Sequence, residues 1–229
     1  MTALYLSRAR LRRDSSVRAI APLLLPDDPS AGLLAAHRLV WSLMSDDASR
    51  LRDFLWREEQ PGAFLILAPR PAEAGSLFTV ESKPWEPRLR AGDRLGFLLR
   101  ANATVSRSAG PGAKGVRGSR HDIVMDALRH APPGERAALR GDAVADAGRA
   151  WLTRQGLRAG FKPETATLRV DGYDTVQVAR GRKDNVIFGR LEFEGVVEVD
   201  NPALFLAGVA EGMGRAKAFG CGLMLLRRV

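Results

Sequence analysis

The segment between residues 211 and 223 is the clearest candidate for a phosphate-binding site. It reads EGMGRAKAFGCGL and places four glycines and two cations between a predicted helix and a predicted strand: Gly212, Gly214, Arg215, Lys217, Gly220 and Gly222. Glycine lets a backbone approach a ligand closely, its N–H groups can bind an anion, and the two cations add positive charge. The segment therefore predicts a cradle for a phosphate backbone, although a tight crossover between a helix and a strand would also need glycines.

Proton transfer at neutral pH most often uses histidine, and the chain has three: His37, His121 and His130. They are scattered, without the spacing of a metal site, and the sequence has no P-loop, G-x-S-x-G or dinucleotide-binding motif. We therefore expect no metal ion and no other cofactor. His37 lies in the middle of an apolar helical stripe, a position that on its own is typical of a partly buried core histidine. His121 and His130 flank a predicted helix, where we expect surface residues.

Arginine supplies most of an excess of positive charge. The 35 lysines and arginines against 26 acids give a net charge of +9 and an isoelectric point of about 10.7, and only five of the 35 are lysine. Guanidinium groups suit bidentate phosphate contacts, so the charge points to RNA, DNA or an acidic surface as partner. A GC-rich genome would also favour arginine over lysine, so the net charge is the stronger evidence.

Two segments concentrate this charge. The stretch Ser106–Arg120 is rich in glycine and serine and contains no acid, which is typical of a flexible basic loop or of an ordinary solvated linker. The second segment is a predicted hairpin near residue 181. The basic residues of the two segments are Arg107, Lys114, Arg117, Arg120, Arg180, Arg182 and Lys183.

Length and patterning predict an α+β protein with two domains. The 229 residues are enough for one or two domains, and a hydrophobic fraction of 45% supports a real core. Strands and helices follow one another in both halves, and we place the domains at 1–103 and 104–229. Helices are predicted over 33–44, 123–128, 135–154 and 202–211, and residues 12–30 as a loop. Strands are predicted over 4–11, 54–56, 64–67, 77–80, 94–100, 167–170, 175–178, 186–199 and 223–226.

Membrane and extracellular classes are disfavoured. No apolar run approaches the ~20 residues that cross a membrane, and prolines interrupt the apolar stretch 19–26, so we expect neither an anchor nor a signal peptide. The single cysteine, Cys221, excludes an internal disulfide and a cysteine-based zinc site. We therefore expect a cytoplasmic protein of a reducing compartment.

Motifs along nearly the whole chain carry a family resemblance. In order they are Tyr5-Leu6-Ser7-Arg8, Ala36-His37-Arg38-Leu39-Val40-Trp41-Ser42-Leu43, Phe54-Leu55-Trp56-Arg57, Leu99-Arg100-Ala101-Asn102, Phe193-Glu194-Gly195 and the terminal G-x-G-x-x-K-x-x-G-x-G-L run. Together they resemble CasE, the family of CRISPR repeat-RNA endoribonucleases of the type I-E Cascade complex. The resemblance implies two tandem ferredoxin-like (RRM-like) domains and metal-independent cleavage of precursor CRISPR RNA at the base of the repeat hairpin. It also implies that the protein keeps the mature crRNA and joins other Cascade subunits.

The resemblance further implies roles for particular residues. His37 matches the family's catalytic histidine, so we assign it general acid or base duty, without choosing which proton it moves. Arg38 beside it is the second catalytic candidate. Ser42 and Ser45 project from the same polar flank as Arg38 and would contact the RNA. The basic residues and the glycine-rich segment named above would bind the rest of the hairpin.

The chain departs from the family pattern at two places. Some relatives carry a tyrosine three residues before the histidine, where this chain has Leu34, and Tyr5 and Tyr173 are the only tyrosines that could replace it. The family's Arg-Ala-Asn-Pro reads Arg100-Ala101-Asn102-Ala103 here. The first departure leaves open what assists the histidine.

Two other functions stay open at this point. The protein would be a catalytically silent RRM-like RNA-binding subunit if His37 is only a core residue. It would be an RNA chaperone if it shows no preference for a repeat hairpin over any other stem. Cleavage of repeat RNA separates the first alternative from the enzyme, and binding selectivity separates the second.

Overall fold

Two antiparallel sheets, each covered by helices on one face, define the architecture. The computed structural model describes residues 3–45, 49–107, 119–180 and 184–229, without the side chains of residues 179, 180 and 184. Within these ranges, no helix is both long enough and apolar enough to cross a membrane.

The first domain carries four of the strands. Its elements are β1 (Tyr5–Leu11), α1 (Ser15–Leu24), α2 (Pro29–Met44), β2 (Leu55–Gln60), β3 (Ala63–Ala68) and β4 (Phe78–Pro84). The strands are hydrogen-bonded in the order β2-β3-β1-β4, and every neighbouring pair is antiparallel. This is the ferredoxin-like order, in which the first and third strands lie side by side in the centre.

The second domain repeats this order in a sheet of its own. Its elements are β5 (Arg94–Ala101), β6 (Thr104–Arg107), β7 (Ser119–Asp122), α3 (Ile123–Ala127), α4 (Arg136–Ala159), β8 (Phe161–Pro163), β9 (Arg169–Arg180), β10 (Asp184–Val199), α5 (Pro202–Glu211) and β11 (Met224–Arg228). The sheet runs β11-β5-β10, and both β8 and β9 pair with β10. Strands β6 and β7 form a separate two-stranded ribbon. The predicted α+β class with two ferredoxin-like domains is therefore confirmed.

The loop predicted over residues 12–30 is wrong, because α1 and the start of α2 lie there. Asp14 caps α1 by accepting a hydrogen bond from the backbone N–H of Val17 at 3.1 Å, and Val17 is buried. Pro22 removes a backbone donor only near the end of the helix, so the helix tolerates it. In contrast, α5 has the bounds that the sequence predicted.

The two sheets divide earlier than residue 103. Strand β5 pairs with β10 and β11 along its length, so it is the first strand of the second sheet. Its buried side chains Leu95, Phe97 and Leu99 belong to the larger hydrophobic core of the protein, with the residues of α4 and β10. Sheet membership therefore moves the division from residue 103 to the segment between Pro84 and Arg94.

Helix α2 holds the predicted catalytic histidine because its apolar stripe is anchored on the first sheet. Asp28 caps the helix by accepting from the N–H of Ala31 at 2.7 Å, and Pro29 occupies the first turn. Its buried residues are Ala36, Leu39, Val40, Leu43 and Met44, which pack in one cluster with side chains of β2 and β3. His37 lies beside this stripe and is half-buried.

A charged group joins the two sheets. Arg57 on β2 donates to Glu192 on β10 at 3.0 Å, and Arg100 on β5 donates to the same carboxylate at 2.5 Å. The side chain of Arg57 is only 13% exposed. Burial lowers the pKa of the Arg57 guanidinium, whereas the charge of Glu192 acts in the opposite direction. The carboxylate thus compensates two arginines that would otherwise repel each other at the junction.

Removing this carboxylate charge should destabilise the fold. We expect Glu192→Gln to lower the free energy of unfolding by about 1–3 kcal/mol, because it leaves two partly buried arginines without a counter-charge. Glu194→Gln, the same change at an exposed position of the same strand, is the matched control. Urea denaturation of both variants measures the difference, and equal midpoints would contradict a structural role for Glu192.

Gly156 and Gly141 lie on the same helix, but only one has room for a methyl group. A Cβ at Gly156 would lie 2.3 Å from the backbone oxygen of Phe161, whereas a Cβ at Gly141 would meet nothing within 4 Å. We expect Gly156→Ala to lower the free energy of unfolding by about 1–3 kcal/mol, because the backbone oxygen of Phe161 cannot move away from the added methyl group as a flexible side chain would. Gly141→Ala should raise the free energy of unfolding by about 0.5–1 kcal/mol, because alanine loses less conformational entropy than glycine when the helix forms. Thermal unfolding of the pair tests this, and a stabilised Gly156→Ala would refute the packing.

Candidate active site

The glycine-rich segment follows α5 as a tight loop. Asn201 caps α5 by accepting from the N–H of Leu204 at 3.1 Å, and Pro202 starts the helix. The backbone then turns through a run of positive φ angles, including +79° at Gly214. A Cβ at Gly214 would lie 2.7 Å from the backbone oxygen of Asn102, so no other residue fits there without a shift. The predicted glycine-rich loop is present, and its glycines are needed for close approach of backbone segments.

The end of β5 supports this loop. The N–H of Gly222 donates to the carbonyl of Arg100 at 2.7 Å, and the N–H of Arg215 donates to that of Asn102 at 3.0 Å. The amide of Asn102 is buried and donates to the carbonyl of Gly189 on β10 at 2.7 Å. The Arg100-Ala101-Asn102 motif therefore fixes the position of the loop relative to the second sheet.

His37 lies where α2 of the first domain meets this loop. Its Nδ1 is 2.8 Å from the carbonyl oxygen of Ala218 in the loop, and the indole Nε1 of Trp56 donates to the same oxygen at 3.3 Å. The imidazole packs edge-on against Trp41 at 6.2 Å and at a tilt against Phe219 at 5.7 Å, measured between ring centroids. The structure thus brings His37 and the glycine-rich loop together, although 181 residues separate His37 from Ala218.

An aromatic row extends from His37 into the second domain. Phe219 stacks on Phe188 of β10 with ring centroids 5.7 Å apart and planes 21° apart. Sequence reasoning missed Phe188, Phe219 and Trp56 as neighbours of His37. They come from three separate elements, so no spacing along the chain could have indicated their proximity.

The loop cations lie in different surroundings. Arg215 is exposed, whereas Lys217 is half-buried and its Nζ donates to the carbonyl of Glu211 at 2.8 Å. Burial lowers the pKa of Lys217, Glu211 opposes this, and the positive charge of Arg52 lowers it further. Arg52, which sequence reasoning missed, donates to the carbonyl of Phe54 at 2.9 Å. Two neighbouring cations with reduced hydration favour the approach of an anion to this side of the loop.

The polar flank of α2 has the exposure that the sequence predicts. Arg38, Ser42 and Ser45 are all exposed. Ser42 Oγ donates to the carbonyl of Leu39 at 2.8 Å, and the N–H of Ser45 ends the helix by donating to the carbonyl of Trp41 at 2.8 Å. Arg38 is thus the charged side chain of this flank, directly after His37 in the chain.

The remaining predicted RNA-binding residues lie elsewhere. Arg107 on β6 binds the carboxylate of Asp126 through two nitrogens, one of them at 2.7 Å, and its hydrogen bond lowers the pKa of Asp126. This pairing compensates the charge of Arg107. Arg120 on β7 is exposed, as are His121 and His130. Arg180 lies in β9 with its side chain outside the described atoms, and four predicted residues lie outside the described ranges: Lys114, Arg117, Arg182 and Lys183.

The two tyrosines that the sequence offers in place of a phenol at position 34 have neighbours of their own. Tyr173 donates from its hydroxyl to Asp122 at 3.0 Å, and burial followed by the charge of Asp122 raises the pKa of Tyr173 to about 12. Tyr5 lies in β1, opposite Ala68 and Pro84. Among the residues with described placement, no three His, Cys, Asp or Glu side chains are grouped so that they could hold a metal ion.

A cavity of about 860 Å³ lies beside the start of α2 and is poorly suited to a polyanion. Its lining includes four carboxylates and one arginine: Asp27, Asp28, Glu58, Asp174 and Arg190. Burial raises the pKa of Glu58, and the N–H of Gly62 and the charge of Arg100 oppose this. The site of interest is therefore the face around His37 and the glycine-rich loop.

Comparison with known proteins identifies the family. Residues 4–228 match the family described as CRISPR associated protein. The CRISPR-associated endoribonuclease Cse3 of Thermus thermophilus is 32% identical over 155 residues, a match that spans 62% of this chain and 59% of the relative. A structure of Cse3 bound to a 19 nt RNA superposes with a TM-score of 0.67 at 24% identity, covering 99% of both chains.

The crystal structure of Cas6e from Escherichia coli K-12 gives a TM-score of 0.55 at 22% identity, over 98% of this chain and 100% of the other. Cse3, Cas6e and CasE are names for one group of proteins, so the family match and the similarity to Cse3 confirm the resemblance drawn from the motifs, and the two structures support the fold. The chain belongs to the CRISPR-associated protein family.

Proposed function

We propose that this protein is an endoribonuclease that cuts precursor CRISPR RNA at the base of the repeat hairpin without a metal ion and stays bound to the mature crRNA. The observation that carries the proposal is the contact between His37 and the Ala218 carbonyl, because it sets a proton-transferring group against an anion-binding loop. The name of the Thermus thermophilus relative and the structure of Cse3 bound to a 19 nt RNA support the substrate class.

The reaction needs two proton transfers and stabilisation of charge. The 2′-OH next to the scissile phosphate attacks the phosphorus in line and loses its proton, the P–O bond to the 5′-oxygen breaks, and that oxygen gains a proton, so that the products carry a 2′,3′-cyclic phosphate and a 5′-hydroxyl. Cations must also stabilise the crowded phosphate oxygens. In our proposal His37 moves one of the two protons and water exchanges the other.

Charge stabilisation in this proposal comes from both sides of His37. Arg38 follows it on the exposed flank of α2, and Arg215 and Lys217 belong to the loop that contacts it. Arginine is suited to the phosphate because its guanidinium makes two parallel hydrogen bonds to phosphate oxygens. Ser42 and Ser45 on the same flank offer hydroxyl groups to the RNA backbone.

Binding of the hairpin stem would use shape and charge more than base contacts. Side chains cannot read the deep, narrow major groove of an RNA helix, so phosphate contacts dominate. The proposed contributors are Arg107, Lys114, Arg117 and Arg120 around the β6–β7 ribbon, and Arg180, Arg182 and Lys183 in the β9–β10 hairpin. The resemblance to CasE also supports the other Cascade subunits as partners.

Replacing His37 should abolish cutting and leave binding intact. In excess EDTA, wild-type protein should cut a labelled repeat hairpin at one site and leave a 2′,3′-cyclic phosphate, which mass spectrometry detects. We expect His37→Ala to cut at least about 100-fold more slowly in single-turnover assays, because the acid–base group is gone. His130→Ala, at an exposed histidine of the same protein, is the matched control and should cut normally.

Each other outcome contradicts a definite part of the proposal. Normal cutting by His37→Ala would make His37 a structural residue, and loss of cutting in EDTA would require a metal. If wild-type protein binds the repeat hairpin without cutting it, the protein is a silent RNA-binding subunit. If it does not prefer that hairpin over an unrelated stem, the chaperone reading is favoured.

The salt dependence of binding tests the phosphate contacts. We expect Arg38→Gln combined with Arg215→Gln to weaken hairpin binding and to reduce the slope of log Kd against log salt concentration by about 1–2, because up to two phosphate contacts are lost. Arg158→Gln is the control, since Arg158 is an exposed arginine in the last turn of α4 and belongs neither to α2 nor to the glycine-rich loop. A double variant with the wild-type slope would show that neither arginine contacts phosphate.

A further inference from the structure

The carbonyl oxygen of Ala218 determines which nitrogen of His37 carries the proton. A carbonyl can only accept hydrogen bonds, so the 2.8 Å contact requires a proton on Nδ1. In the neutral ring this leaves Nε2 as the nitrogen that accepts a proton. The same oxygen accepts a second hydrogen bond from Nε1 of Trp56 at 3.3 Å, so both of its lone pairs are used.

Trp56 is itself held firmly. Its side chain is among the largest fully buried ones of the chain, with 1% exposure, and its ring packs edge-on against Phe64 with 5.8 Å between centroids. The loop lies directly on the indole, because a Cβ at Gly220 would be 3.2 Å from the Trp56 ring. Gly220 also has φ +72°, which favours glycine. The indole therefore supports the loop from beneath and donates to its carbonyl from a fixed position.

We propose that Trp56 is a positioning residue for His37: its indole N–H orients the Ala218 carbonyl, and that carbonyl keeps the imidazole proton on Nδ1. The inference deepens the proposed function, since it matters for catalysis only if His37 takes up a proton through Nε2. Trp56 acts through Ala218 and has no contact with the reacting atoms in this proposal.

Removing the indole N–H should change the tautomer of His37. Trp56→Phe keeps an aromatic ring on Phe64 and under Gly220 but takes away one donor to the Ala218 oxygen. The N–H of the same peptide group, on Phe219, still donates to the carbonyl of Ala216 at 2.8 Å. With one of its two donors gone, the Ala218 carbonyl is oriented less tightly, and the proton of the imidazole is held less strictly on Nδ1. A proton on Nε2 would block that nitrogen as a base, so a share of the molecules would enter the reaction in the wrong state.

The direct test is ¹⁵N NMR of the histidine side chains in the protein without RNA. Wild-type protein should show His37 with its proton on Nδ1, and Trp56→Phe should show a new population with the proton on Nε2. Trp85→Phe is the matched control, because Trp85 lies at the end of β4, bonded through its backbone to Leu4, and should leave the His37 signals unchanged. An unchanged His37 tautomer in Trp56→Phe would overturn the inference.

A second readout is the cleavage rate at saturating protein. We expect Trp56→Phe to cut the repeat hairpin about fivefold more slowly, the equivalent of one neutral hydrogen bond, with the Kd for the hairpin unchanged. A drop in affinity with a normal rate would instead indicate a role in loop structure alone. If Trp56→Phe does not fold, Gly220→Ala displaces the indole from the loop and should produce the same tautomer change.

These outcomes separate the two proposals. If His37→Ala cuts normally, the proposed function fails, while the NMR experiment still decides whether Trp56 positions the imidazole. If His37→Ala is inactive and Trp56→Phe shows the wild-type tautomer and rate, only the role of Trp56 fails.

Discussion

The contact between the Ala218 carbonyl and Nδ1 of His37 is the interaction on which the site depends. It joins a helix of the first domain to a loop of the second, so it exists only when both domains are folded and correctly placed. Helix α2 alone offers a half-buried histidine beside an exposed arginine, and the loop alone offers glycines and two cations. Their meeting supplies an oriented imidazole next to positive charge, which is the minimum that RNA cleavage by its own 2′-OH requires.

Several weaker interactions serve this contact. The cap at Asp28 and the apolar stripe fix α2 on the first sheet, while β5 carries the loop of the second domain through the Arg100 and Asn102 carbonyls. Between them, the Glu192 carboxylate compensates Arg57 on one sheet and Arg100 on the other. The same strand β5 therefore supports the loop and takes part in the ionic link between sheets, which couples the position of the loop to the domain junction.

The local parts of this structure were predictable from the sequence, and the long-range parts were not. Alternation of apolar residues indicated most strands, and Asn201 before Pro202 indicated the start of α5. Helix α1 was missed because Pro22 lies within it and the segment after it, Pro26 to Pro29, has the composition of a loop. Strand β5 was assigned to the wrong half because the apolar pattern of a strand does not show which strands it pairs with. His37 was chosen through family resemblance, since its place in an apolar stripe indicated a core residue. Its contacts with Trp56, Ala218 and Phe219 depend on tertiary packing alone.

A structure of the complex with a repeat hairpin carrying a 2′-deoxy substitution at the cut position tests the central claim most directly, because this RNA binds but lacks the attacking hydroxyl. The account predicts the scissile phosphate between α2 and the glycine-rich loop, with His37 Nε2 within about 3–3.5 Å of the 5′-oxygen or of the place of the missing hydroxyl. It also predicts that the Ala218 carbonyl still accepts from Nδ1. A scissile phosphate bound away from His37, with the imidazole covered by protein alone, would contradict it.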